Sequence, residues 1–224
     1  MKNLIIAIDG PAGAGKSTVA QILAHNLHYN YIDTGAMYRG IAWKAIQCNV
    51  LDDELAIGQI VQQLNIKLNY IDGKTTLFID GCDVTMKIRT PEISQIVSKI
   101  AQLKTVRDTM LTLQRNMAVG GGVVMDGRDI GTHVLPNADV KIFLTASIQE
   151  RAKRRWRELT QKGYQVKLEK LEEEIAARDK NDCEREIAPL RQANDAVLVD
   201  TTALSIQEAV KLITKICEER GNLV

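Results

Sequence analysis

Gly10-Pro11-Ala12-Gly13-Ala14-Gly15-Lys16-Ser17 fits the pattern G-x-x-x-x-G-K-[ST], and it constrains the fold of this chain more than any other stretch. Glycines let backbone N–H groups turn inward around an anion without Cβ clashes. A lysine adds a point positive charge, and the hydroxyl after it suits a hard cation. Such a loop needs a strand before it and a helix after it, and both are legible. Leu4-Ile5-Ile6-Ala7-Ile8 is a short apolar run of the kind buried in a parallel sheet. Val19, Ile22, Leu23 and Leu27 then recur at helical spacing, so Lys16, Ser17 and Thr18 open a helix whose N-terminus favours anions. The segment from Gly10 to Thr18 reads as a nucleoside triphosphate site, with Lys16 against the β and γ phosphates and Ser17 toward magnesium.

The rest of the chain continues the alternation. Apolar runs ending in aspartate span Ile5 to Asp9, Tyr29 to Asp33, Val123 to Asp126 and Val197 to Asp200, with Val140 to Leu144 a fifth run lacking that ending. Helical patterns separate most of them, so the expected class is α/β, a parallel sheet covered on both faces. Ligands of such sheets gather at the carboxyl ends of the strands, where these aspartates sit. Capping boxes Ser147-x-x-Glu150 and Ser205-x-x-Glu208 mark two helix starts, and Thr90-Pro91-Glu92 marks a third. Residues 64–86 break the rhythm. The pairs Asp72-Gly73 and Asp80-Gly81 separate short alternating runs, which predicts a two- or three-stranded antiparallel meander inserted into the α/β chain.

Composition excludes more than it selects. Apolar residues make up 45% of the 224 positions and charged residues 25%, ordinary for a soluble globular chain. A net charge of +1 gives no global pull toward nucleic acid, so attraction for anions must be local. Cys48, Cys82, Cys183 and Cys217 are scattered without metal-ligand spacing, which suits reduced thiols. The apolar start stops at Asp9, too short for an export signal, and no run is long enough to cross a membrane. A cytoplasmic monomer is expected, with neither nucleic-acid nor membrane partners.

Three further constellations carry chemistry. Asp33-Thr34-Gly35-Ala36-Met37-Tyr38-Arg39 leaves the second strand; Thr34 and Gly35 start a helix, and Arg39 can reach a second phosphate opposite the first. Alone, Thr34 and Arg39 would equally be a cap and a solvated arginine. Asp126-Gly127-Arg128-Asp129 follows a buried run, so Asp126 stands where an acid helps hold magnesium or its waters. Arg128 supplies a fork for a phosphate and Asp129 an acceptor for a base or sugar. The third set is basic. Arg151, Arg154 and Arg155 share a helical face, Arg178, Asp182 and Arg185 share another, and Gln161-Lys162-Gly163-Tyr164 breaks between them. Acids interleave throughout, so the reading is a mobile arginine-bearing lid rather than a nucleic-acid surface. Together these sets describe phosphoryl transfer between two phosphate-bearing ligands, where arginines on a lid contribute on the order of 10³ to 10⁵ in rate.

D-G-P-A-G-A-G-K-S-T, D-T-G-A-M-Y-R, D-G-R-D-I-G-T and R-E-I-A-P-L-R, in this order, resemble the bacterial cytidylate kinase family over essentially the whole chain. The resemblance implies transfer of the γ-phosphoryl of ATP, with magnesium, to CMP or dCMP. It implies a five-stranded parallel P-loop core (1–35, 110–148 and 187–224), a monophosphate-binding region with the inserted meander (36–109), and a helical lid (149–186). It further implies that Ser98 and Arg107, in the helix after Thr90-Pro91, read the cytosine with Asp129, and that Arg39 and Arg128 clamp the monophosphate. By the same resemblance Asp182 holds the pentose, Thr34 keeps a hydroxyl in the substrate site, and Lys16, Arg154, Arg178 and Arg185 surround the transferred phosphoryl. Arg151, Arg155 and Arg157 are close rivals of Arg154 by position. Another small-molecule P-loop kinase is the rival in mechanism, and a nucleotide-regulated binding protein the rival in class.

Overall fold

The computed structural model describes residues 3–71 and 73–221. Five strands, β1 (Ile5–Asp9), β2 (Asn30–Asp33), β6 (Val123–Asp126), β7 (Val140–Thr145) and β8 (Val197–Asp200), form one parallel sheet in the order β2-β6-β1-β7-β8. All four pairings are parallel, as strands joined by helical crossovers require. The register sets Ile8 beside Asp126 and Asp33 beside Asp126, so three aspartate-ended strands finish at one edge. The phosphate loop leaves β1 where β6 and β7 flank it, the switch point of such a sheet.

Alternation along the strands feeds two cores. Ile6, Ile8, Val124, Ile142 and Leu144 pack with Leu23 of α1 (Lys16–Leu27) and Ile213 of α8 (Ile206–Gly221) on one face. Ala7, Val123 and Met125 point to the other face, beneath Met37 of α2 (Thr34–Gln47), Ile57 of α3 (Glu54–Gln63), Ile93 of α4 (Pro91–Ile100) and Met110 of α5 (Lys104–Met117). Side chains this fully buried contribute about 1.5–3 kcal/mol each to holding the layers together. A third, small cluster of Ala152, Leu159, Leu171 and Ile175 closes the hairpin of α6 (Ile148–Gln161) and α7 (Leu168–Glu184).

The expected caps form. Ser147 Oγ accepts from Glu150 N, Thr90 Oγ1 from Ile93 N, and Ser205 and Glu208 bond reciprocally. The meander has three strands, β3 (Ile66–Ile71), β4 (Lys74–Ile79) and β5 (Cys82–Asp83), paired antiparallel. Asp80 and Gly81 turn with φ of 51° and 78°, as a two-residue hairpin demands. Asp72 of the other pair lies outside the described residues. Tyr70 ties the meander to the core: its ring meets Tyr31 edge-on at 5.8 Å, and its hydroxyl donates to the Gln21 carbonyl at 2.9 Å.

Two features depart from the expectations. Ser98 and Arg107 do not share one helix, because the chain tightens at Ala101–Leu103 and buries Leu103, separating α4 from α5. After Asp129, residues Ile130–Val134 form a π-helical turn, which carried no sequence signal. Among the described residues no helix is long and apolar enough to cross a membrane.

Candidate active site

Gly10 shows why the loop begins as it does. Its φ is 146°, and a Cβ there would lie 1.9 Å from the Leu144 carbonyl oxygen of the neighbouring strand. Gly15 then caps α1 in the left-handed region, φ 91°. Between them Pro11, Ala12, Gly13 and Ala14 carry the chain around the loop; Ser17 and Thr18 are exposed on the first turn of α1, while Lys16 is buried. The Lys16 ammonium donates to the Pro11 carbonyl at 2.7 Å. Burial first, then the charges of Arg128 and Arg178, pulls its pKa well below the ordinary lysine value. Lys16 therefore shares one electrostatic field with Arg128 and Arg178.

Asp126 joins the two sides. Its Oδ2 accepts from Ser17 Oγ at 3.0 Å, its Oδ1 from the Tyr31 hydroxyl at 2.7 Å, and its backbone carbonyl from Thr34 Oγ1 at 2.7 Å. Burial, followed by the adjacent Asp33 carboxylate, pushes Asp126 up to about 6. Asp33 itself caps α2 by accepting from Ala36 N at 2.8 Å. Ser17 and Asp126 offer only hard oxygen donors, which fits magnesium. Among the described residues no cluster of three acidic, histidine or cysteine side chains forms a metal cage. The donor set thus suits an ion held largely by phosphates and water.

Two residues on, the same segment builds the other sub-sites. Arg128 Nε donates to Asp182 Oδ2 at 2.8 Å, and burial opposes its charge, but Asp182 and Asp126 keep it held above the ordinary arginine value. Burial likewise opposes the Asp182 carboxylate, yet Arg128 and Arg178 hold it below the usual range. Asp129 is clamped between two guanidinium groups, pairing with Arg107 Nη2 at Oδ2 and with Arg185 Nη2 at Oδ1, the latter at 3.0 Å. Arg185 also donates to the Ala188 carbonyl at 2.7 Å, so it sits on Asp129 rather than on the phosphate loop. Ser98 is half-buried on α4, three residues before Ala101, whose carbonyl accepts from Arg107 Nη1 at 3.2 Å.

Arg39 and Arg178 remain under-compensated. Burial, then Arg128, Arg89 and Arg155 against a single favourable Asp33, lowers Arg39. Burial, then Arg128 and Arg39, takes Arg178 down to about 9, and its Nε is buried without a hydrogen-bond partner among the described residues. Gly35 makes room for this wall, since a Cβ there would stand 3.3 Å from Arg39 Nη1.

Sequence reading missed several supports. Asp9 accepts from Ile130 N at 2.8 Å and Gly131 N at 2.7 Å, which fixes the turn after Asp129. Tyr31 reads as core, and nothing in its spacing marks a partner for Asp126. Burial pushes the Tyr38 phenol up to about 12 beside Arg107, Asp129 and Gln114. Arg151 is buried, donating to the Ala12 carbonyl at 3.0 Å and to Asp179 at 2.6 Å. Arg154, already expected from the sequence, donates to the Ala14 and Thr201 carbonyls at 3.3 and 2.7 Å and to Glu150 at 3.1 Å.

A strand, an anion loop and a facing wall of arginines on a five-stranded parallel sheet define a P-loop phosphotransferase. A gluconokinase from Sinorhizobium meliloti 1021 shares the fold, with a TM-score of 0.50 at 16% identity over 100% of this chain and 97% of its own. Within that class the chain belongs to the cytidylate kinase family, whose model matches residues 6–219. It is 54% identical over 221 residues to the cytidylate kinase of Bacillus subtilis, covering 98% of this chain and 99% of that one. The cytidylate kinase of Caldicellulosiruptor bescii is 50% identical over 217 residues, 96% of each chain.

Proposed function

We propose that this chain moves the γ-phosphoryl of ATP onto CMP or dCMP, with magnesium, giving ADP and CDP or dCDP. One observation carries the reading. Asp126, Arg128 and Asp129, within four residues at the end of β6, address Ser17 of the phosphate loop, Asp182 and the Arg107–Arg185 pair. A single strand end thus spans metal, acceptor-phosphate and base positions. Gly10 to Thr18 hold the ATP phosphates. Arg39 and Arg128 take the acceptor phosphate, Asp182 the pentose, and Lys16 with Arg178 the transferred phosphoryl. Asp129, flanked by Arg107, accepts from the cytosine amino group, with Thr34 and Ser98 as further contacts to the acceptor. Magnesium, when bound, neutralises phosphate charge at Ser17 and Asp126.

Residues 1–35, 110–148 and 187–224 serve as core, 36–109 as the acceptor-binding region and 149–186 as lid. Lid closure excludes water that would compete with the acceptor. The acceptor phosphate is already anionic, so no general base is needed. The test is a coupled ADP-release assay with ATP, magnesium and CMP, dCMP, UMP, AMP, GMP or shikimate. Turnover mainly on CMP and dCMP supports the reading. Turnover on another acceptor keeps the kinase and discards the base-reading set; ATP binding without any turnover overturns both.

A further inference from the structure

The meander sits in the acceptor-binding region, yet its side chains lead to the residues assigned to magnesium. Tyr70 of β3 and Thr75 of β4 stand opposite each other in the hairpin register. Both reach α1, the helix that carries Ser17. The Tyr70 hydroxyl donates to the Gln21 carbonyl at 2.9 Å, and Gln21 Nε2 donates to Thr75 Oγ1 at 3.5 Å. The Tyr70 ring meets Tyr31 of β2 with centroids 5.8 Å apart and planes inclined at 75°. Edge-to-face pairs of this kind favour one mutual orientation, which plain apolar contact does not impose.

Tyr31 is fully buried in the sheet. It registers with Val124 of β6, and Asp126 lies two residues further on, so both side chains share the face that α1 covers. There the Tyr31 hydroxyl donates to Asp126 Oδ1 at 2.7 Å, while Ser17 Oγ donates to Oδ2 at 3.0 Å. The carboxylate plane of an aspartate turns readily about χ2, and a donor on each oxygen stops that rotation. Ser17 is itself a proposed magnesium ligand, so its hydroxyl has a second claim on it. The Tyr31 phenol beside an ionised carboxylate acts as a donor, and Tyr70 packs against its ring.

We propose that Tyr31 is a positioning residue for the magnesium site, and that Tyr70 of the inserted meander keeps it in place. The inference rests on the reaction proposed above, with Ser17 and Asp126 facing the ion. Tyr31 acts through Asp126 and not on the reacting atoms, as the outer partners of a ligating carboxylate do. The meander then serves the ATP side as well as the acceptor side. It braces both the helix that opens at the phosphate loop and the acid that answers Ser17 across the cleft.

The test uses Tyr31→Phe, which keeps the ring and removes the hydroxyl, together with Tyr70→Phe and Tyr70→Leu. ATP affinity is measured by calorimetry at limiting magnesium and again in EDTA, and activity is titrated with magnesium. Tyr31→Phe should lose about 10-fold in ATP affinity at limiting magnesium and keep its affinity in EDTA within about twofold. Half-saturation by magnesium should rise by a similar factor. Excess magnesium should restore most of kcat, with KM for the acceptor unchanged. Tyr70→Leu should show the same pattern at about 3-fold, and Tyr70→Phe, which keeps the ring, should match the unmodified protein. Equal losses with and without magnesium would make both tyrosines packing residues and overturn the proposal. An unchanged magnesium dependence in Tyr31→Phe overturns it too. Should Tyr31→Phe not fold, Tyr70→Leu decides by the same comparison. An unmodified protein whose ATP affinity ignores magnesium overturns the metal reading and the proposal with it. One that binds magnesium-ATP but turns over no acceptor overturns the reaction and leaves the calorimetric comparison intact.

Discussion

Asp126 accepts from Ser17, Tyr31 and, through its backbone carbonyl, Thr34, and on the proposed reaction its protonation is where pH reaches the chemistry. Burial and Asp33 raise it to about 6 from 3.8. Only the ionised carboxylate draws a cation, so activity is lost as pH falls through that value. We expect kcat/KM for magnesium-ATP to decline below pH 6, approaching about tenfold per pH unit. Excess magnesium should move this limb to lower pH, because metal and proton compete for one group. Asp9 is raised to a similar value by burial, but its oxygens are committed to Ile130 N and Gly131 N. A limb that ignores magnesium would assign the titration to Asp9 instead.

Elements were legible where a local rule forces them. The strand and loop around Gly10, the capping residues Ser147, Thr90 and Ser205, and the Asp80-Gly81 turn each carry a signal within a few residues. The break between α4 and α5 was not legible, because Leu103 is drawn into a core built from distant segments. The π-helical turn at Ile130–Val134 depends on Asp9, more than a hundred residues away, so no window of sequence contains its cause. The same limit hid Tyr31 and the partners of Arg151 and Arg154, which include the Ala12 and Ala14 carbonyls of the phosphate loop. At this scale Gly10→Ala and Gly81→Ala make a paired test. Both positions have positive φ, but the first would drive its Cβ into the Leu144 carbonyl and the second meets open space. In urea titration Gly81→Ala should cost about 1–2 kcal/mol. Gly10→Ala should cost at least about 3 kcal/mol, or prevent folding. Equal costs would mean that conformation alone, and not the packing of β1 on β7, sets the loop.

The whole molecule carries a net charge of only +1, yet its cleft gathers Lys16, Arg39, Arg128 and Arg178. We expect sulfate to raise the melting temperature well beyond chloride at equal ionic strength, by about 2.7 kcal/mol of stability at one hundred times its Kd. Arg178→Gln should raise the melting temperature without sulfate, through relieved repulsion, and shrink the sulfate response. A response unchanged in that variant would place the anion elsewhere. The crowded wall also bears on how long the protein lasts. On the reaction proposed above, nucleotide phosphates would supply its counter-charges, so bound nucleotide should stabilise the molecule and slow its proteolysis. Substrate supply would then bear on how long the protein survives as well as on its rate.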